Sequence, residues 1–343
     1  MRDSLLPSMR AAGVCALVLI CASGIAFART PQEQKKGESK EAKVSEGENQ
    51  ALQKIIDAPD AAAKLQAGGE FVKKYPKSVK RSEVAQHLAG EIAKLTDGAQ
   101  QITLAESFLT TFDQPAESAL ISPLLIDVYV KGSKLDDAFR VAASALEKNP
   151  DDVVVLTQMS LVGTEEIKKN NPKFLQQAQS YGLKAIELIE ADKKPESMDV
   201  TRWGTYKSTW LPQLYQSLGL ISYLTGNKAE ARARLEKSAS LNATDPVTFM
   251  LLGSMINEEY RQLAEKHKAM SEGPLKDDTL KEAHAKMDQV IEVFAQAVAL
   301  SEGKPQYQRL HDQLLQDLTA YYRYRKGSTD GLQQLIDKYK NPQ

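Results

Sequence analysis

Apolar side chains return along this chain in steps of three and four. Val84, Leu88, Ile92 and Leu95 form one row, and Ile102, Ala105, Leu109 and Phe112 form a second that closes at Pro115. Such steps place side chains on one face of an α-helix, so residues 79–116 read as a helix pair. Upstream, a similar period starts at Ala51 and runs through Leu65 to Phe71, Val72 and Tyr75-Pro76, which makes 51–116 a divergent start to a series. Clearer pairs follow at 119–152, 153–190 and 212–245. In the second, Leu156, Met159 and Gly163 are answered by Phe174, Ala178, Tyr181 and Ala185 across the turn Lys168-Lys169-Asn170-Asn171-Pro172. In the third, Tyr215, Leu218 and Gly219 precede a turn at Gly226-Asn227, and Ala231, Leu235 and Ser238 form the returning row. Gly and Asn suit that turn because they accept the left-handed backbone that ends a helix.

The next pair, 246–301, is longer. Leu252, Ile256, Tyr260, Leu263, His267 and Met270 are expected to face Leu280, His284, Met287, Ile291, Phe294 and Val298 across a turn at Ser271-Glu272-Gly273-Pro274. That is an elongated antiparallel hairpin projecting from the stack. A final pair at 305–341, capped by Ser or Thr before Asp, would seal the exposed end. From Ala191 to Ser208 the period lapses around Pro195 and Trp203-Gly204, which marks a connector or a lid. Trp203 and Trp210 sit at this place, as packing plugs rather than a ligand platform, since Trp is highly buried on average. The fold class expected is all-α.

The spacing also repeats. Phe249, Leu252 and Gly253 follow Tyr215, Leu218 and Gly219 at a shift of 34 residues, and a shift of 93 carries Leu125, Ala138, Ala142 and Ala145 onto Leu218, Ala231, Leu235 and Ser238. With Tyr129 and Pro150, these positions resemble the tetratricopeptide repeat (TPR), a helix-turn-helix unit of about 34 residues. Ser222 stands where that pattern has an aromatic, and Ala243 where it has the closing proline. The resemblance implies a right-handed α-α solenoid that docks other proteins.

The amino terminus is different. An uncharged run from Ala11 to Ala28 follows Arg2 and Arg10 and ends in Ala26-Phe27-Ala28, the layout of a secretory signal peptide over residues 1–28. A retained anchor is the other reading, since about 17–25 apolar residues span a bilayer. Either way the chain is expected to be exported, to a periplasm or outside the cell, with membrane contact only through this segment. Residues 29–50 turn to Lys, Glu, Gln, Ser and Gly, a composition expected to remain a disordered tether. Both cysteines, Cys15 and Cys21, lie in the leader, so the mature chain has no thiol for disulfide, metal or catalysis. Neither follows a small residue, as lipid attachment would require.

Composition adds little chemistry. A net charge of −1 with acids and bases mixed along the chain gives no basic stripe for nucleic acid. No His-Glu-x-x-His, Gly-x-Ser-x-Gly or phosphate-cradling loop is present, so no catalytic residue and no cofactor is expected. The four histidines include His267 and His284, which the hairpin brings to similar heights; they are weak metal candidates, because structural sites usually want four ligands. The acidic pairs Asp136-Asp137, Asp151-Asp152 and Asp277-Asp278 suit helix N-termini.

In the family it resembles, first helices line a concave groove. Carried over by register, the groove positions are Asp127 and Val130, then Thr157, Leu161 and Thr164, then Gln216, Leu220 and Tyr223, then Met250, Ser254 and Asn257. This row is mostly neutral and lacks the basic set by which some family members clamp a terminal carboxylate. The partner expected is therefore a protein or peptide held by apolar anchors and amide hydrogen bonds. The alternatives are an enzyme or small-ligand carrier with 191–208 as its lid, and self-association through 246–301.

Overall fold

A computed structural model describes residues 44–340. The expected leader and most of the expected tether lie outside them. Within them the chain is all-α: α1 (Glu46–Asp57), α2 (Ala61–Lys74), α3 (Arg81–Ala93), α4 (Gly98–Thr111), α5 (Pro115–Lys131), α6 (Leu135–Lys148), α7 (Val153–Lys168), α8 (Leu175–Glu190), α9 (Val200–Leu224), α10 (Lys228–Leu241), α11 (Pro246–Ala269), α12 (Pro274–Ser301), α13 (Gln308–Lys326) and α14 (Leu332–Asp337). The chain forms two compact units that divide within α7, after Met159. In both, helices pack on their neighbours in sequence or on the next but one, the arrangement of an α-solenoid.

Local chemistry starts the helices. Asp60, Asp97, Asp199 and Asp245 stand at N-caps and accept backbone N–H groups that the helix leaves unpaired. Ser45 and Glu48 form a reciprocal capping box ahead of α1, and Ile55 on that helix is buried. Residues 46–50, expected to belong to the tether, are therefore the first residues of α1. Pro115 does not close α4; it is the first residue of α5, where a missing N–H costs nothing.

The first unit buries Phe71, Leu88, Ile92, Phe108, Phe112, Ile121 and Leu125, with the rings of Phe108 and Phe112 stacked 4.7 Å apart. Two ion pairs tie its helices together. Lys64 on α2 meets Glu91 on α3 at 2.6 Å, and Arg81 on α3 grips both oxygens of Glu117 on α5 at 2.5 and 2.9 Å. Glu117 is 3% exposed.

In the second unit α9 and α10 close on Leu214, Leu218, Ile221, Ala231 and Leu235. Residues 200–208 belong to α9, so the expected connector shrinks to a loop that ends at Asp199. Trp203 anchors that end of the helix: it is buried, stacks on Tyr206 at 5.6 Å, and donates from Nε1 to Asp192 at 2.8 Å. Gly204 lies within this helix and faces open space.

The α11–α12 hairpin is the longest element. Its base is sheathed by α13 and α14, whose Leu310, Leu314, Leu318, Leu332 and Ile336 join the core around Phe294, Val298 and Leu300. Near the tip the seam differs from expectation. Thr279 and Ala283 are buried, whereas Leu280 is 37% exposed and His284 half-buried. The smaller side chains sit between the helices, and the period cannot distinguish them from neighbours one residue along. Another difference concerns α14. It begins after Gly331, in a left-handed conformation with φ 84°, instead of behind a Ser or Thr cap.

Candidate functional site

In the first unit, Asp127 and Val130 lie half-buried on α5, and Asp127 is paired with Lys131 at 2.5 Å. Thr157 on α7 is 3% exposed and its hydroxyl has no partner. In the second unit, Leu161 is half-buried, while Thr164 is buried and donates to the Ser160 carbonyl at 2.8 Å.

The positions on α9 and α11 form a more continuous face. Gln216 donates to Thr248 Oγ1 at 2.7 Å and also to Asp245, so it pins the start of α11 against α9. One turn on, Leu220 is half-exposed. Tyr223 follows, donating its hydroxyl to Glu258 at 2.9 Å, and Lys228 approaches the other oxygen of that carboxylate at 2.6 Å. Burial, and then the bond to Glu258, raises the Tyr223 phenol to about 12. The hydrogen bond from Lys228 holds Glu258 below the usual carboxylate range. Met250 and Ser254 are half-exposed beside them, and Ser254 donates to the Met250 carbonyl at 2.8 Å.

Three expected groove residues are not open to a partner. Thr157, Thr164 and Asn257 are each at least 95% buried, because neighbouring helices cover a wider arc of each first helix than register alone implies. The contribution of α13 was missed. Asp317 and Tyr321 on that helix are one turn apart, and Tyr321 packs edge-on against Tyr260 of α11 at 6.3 Å. Their spacing of four was the available signal, but the helix reads from sequence as a plain cap.

No group of three or more His, Cys, Asp or Glu side chains is placed to hold a metal among the described residues, so His267 and His284 lack further ligands. An open cleft of about 480 Å³ lies between α1 and α2, lined by Lys54, Asp57 and Glu70, and another of about 360 Å³ lies beside Glu259, Lys266 and Lys286. Neither is lined by residues 191–208, and the helical state of 200–208 leaves a short loop where a lid was one expectation. No helix among the described residues is long and apolar enough to cross a membrane.

No family model matches the chain, and no curated protein does. Among solved structures it is similar to a tetratricopeptide repeat protein from Parabacteroides merdae, at 11% identity and a TM-score of 0.38 over 87% of this chain and all of that one. It is also similar to the C-terminal part of a TPR repeat-containing protein from Cytophaga hutchinsonii, at 13% identity and 0.39 over 86% of this chain and all of that one. A monomeric mutant of IFIT1 with Gppp-AAAA matches at 15% identity and 0.36, over 82% of this chain and 56% of that one. At these scores the description of the fold stands on the helix pairing itself.

Proposed function

We propose that this chain is an exported helical scaffold of the tetratricopeptide kind, which docks a protein or peptide on the α9–α11 face of its second unit. One observation carries the reading. Leu218 and Leu252, at equivalent register on α9 and α11, are buried, while Leu220, Tyr223, Met250 and Ser254 on the same helices stay half-exposed. Apolar side chains held on a rigid face, and only partly used by the core, suit an extended or helical segment. Export rests on the layout of residues 1–28 and is tested by fractionating cells and sequencing the mature N-terminus.

Affinity capture with the mature chain from envelope extract tests the docking. A stoichiometric protein partner is expected, lost on the double change Leu220→Asp and Met250→Asp while the melting temperature holds. Equal capture by that variant, or a co-purifying small molecule in place of a protein, overturns the reading.

The hairpin supports a second reading, self-association. Near its tip Leu275 is 67% and Leu280 37% exposed. Replacing residues 262–285 by a short turn would convert any oligomer seen by light scattering to monomer; an unchanged mass removes this reading.

A further inference from the structure

From Lys73 to Arg81 the first unit carries five cations and no acid, in the order Lys-Lys-Tyr-Pro-Lys-Ser-Val-Lys-Arg. This run turns the corner between α2 and α3. Its path is fixed by the Ser78 N–H donating to the Tyr75 carbonyl and the Arg81 N–H to the Ser78 carbonyl, each at 3.1 Å. Two of the cations are used within the fold: Arg81 holds Glu117 and reaches Asp113 at 3.1 Å, and Lys80 meets Glu83 at 2.6 Å. Lys73, Lys74 and Lys77 are exposed and belong to no ion pair among the described residues, although the Lys74 ammonium lies over the Tyr75 ring at 5.2 Å. Glu70, the acid nearest before the run, is paired with Lys54 at 2.5 Å. Val79, in the middle of these charges, is 62% exposed.

Three features say what such a corner fits. The free cations are all lysines, compact charges on flexible stems, whereas fixed carboxylates of a protein are better matched by the planar fork of arginine. The one arginine of the run is occupied by Glu117. An exposed valine among lysines also suits the boundary between headgroups and acyl chains, where lysine stems lie along apolar surface while their ammonium groups stay in water. Finally, the corner stands beside the place where the chain enters from its amino-terminal segment: a Cβ added to Gly47, in the first turn of α1, would stand 2.7 Å from the Tyr75 hydroxyl. Residues 29–43 just before it carry five cations against three acids. Between Asp97 and Asp152 the balance reverses to ten acids against four cations, so the attraction is confined to this corner and the chain leading into it.

We propose that the α2–α3 corner rests on an anionic phospholipid surface, with Lys73, Lys74 and Lys77 at the headgroup phosphates and Val79 at the edge of the acyl region. Membrane contact then extends beyond the leader and persists once the leader is removed. The α9–α11 face plays no part in it.

Co-sedimentation of the full mature chain with vesicles of equal parts phosphatidylglycerol and phosphatidylcholine tests this contact. Binding is expected there and not on pure phosphatidylcholine, and it should weaken as salt shortens the reach of the charges. Each lysine at an anionic surface contributes about fivefold to partition, so changing Lys73, Lys74 and Lys77 together to Gln should weaken binding by about 100-fold. Val79→Asp should weaken it as well, and a circular dichroism melt confirms that both variants fold. Leu220→Asp with Met250→Asp, which tests the docking face, should leave vesicle binding unchanged. No binding to the anionic vesicles, or binding that the triple variant leaves intact because residues 29–43 suffice, would overturn the proposal. So would a protein captured from extract and lost in the triple variant while vesicles go unbound, which would make the corner a site for an acidic protein.

Discussion

Gly253 on α11 lies directly against the ring of Phe294 on α12: a Cβ added to the glycine would stand 2.4 Å from Cε1. Gly219 has the same relation to Leu235, at 2.8 Å from Cγ. These two glycines sit 34 residues apart at equivalent places in successive helix pairs. Each lets a first helix approach its partner more closely than a side chain allows.

Gly253→Ala is therefore expected to destabilise the second unit. Alanine favours a helix interior by about 0.5–1 kcal/mol, but overpacking a filled core costs about 1–3 kcal/mol, and Phe294 is 1% exposed with no room to retreat. Gly204→Ala on α9 meets nothing within 4 Å and should stabilise. Urea denaturation of the two variants separates them, and destabilisation of similar size in both would refute the close approach.

The Arg81–Glu117 pair predicts a non-additive series. Arg81→Met leaves Glu117 buried without its cation and should cost about 3–5 kcal/mol, whereas Arg81→Met with Glu117→Met should cost much less. A double-mutant cycle in urea measures this. Additive losses would place the pair in well-solvated surroundings instead.

Glu91 predicts a pH dependence. The hydrogen bond from Lys64, then that from Lys94, holds its carboxyl at about 2, below the ordinary value of 4.5. A folded-state pKa below the unfolded one contributes stability that is complete above about pH 4.5 and is lost as pH falls through about 2. The urea midpoint of Glu91→Gln should fall less steeply over that window than that of the native chain. Parallel curves would show that the contribution is absent.

Trp203 tests the amino-terminal turns of α9. Trp203→Ala removes a buried ring with its bond to Asp192 and should cost about 3–5 kcal/mol, while Trp210→Ala, at a half-buried position, should cost clearly less. With only two tryptophans in the chain, fluorescence-detected unfolding follows each variant through the remaining one. Equal costs would argue that this end of α9 is frayed.

Register was the legible part of this molecule. Leu125, Ala138, Ala142 and Ala145 and their counterparts Leu218, Ala231, Leu235 and Ser238 are all buried, because one set of steps along a helix leads to one packed face. The helix starts were less legible. Pro115 and the residues around Trp203 carry signals that serve equally for an end, a loop or a first turn, and the caps at Gln114 and Asp199 decide between them. The candidate face was legible only in part. Leu220, Tyr223, Met250 and Ser254 keep exposed surface, but Asn257 is hidden by α13, a helix 60 residues along that no local pattern links to it.

By itself the residue order determined that this chain makes helices, that they pair, and which side of each pair is apolar. Those properties follow from steps of three and four and from local caps, which act over a turn or two. Only the tertiary structure decided how wide an arc each neighbour covers, and so which polar residues stay open and which, like Asn257, are buried with an oxygen unpaired. That outcome depends on how closely two helices approach, and the approach is set by contacts such as Gly253 against Phe294, 41 residues apart in the chain.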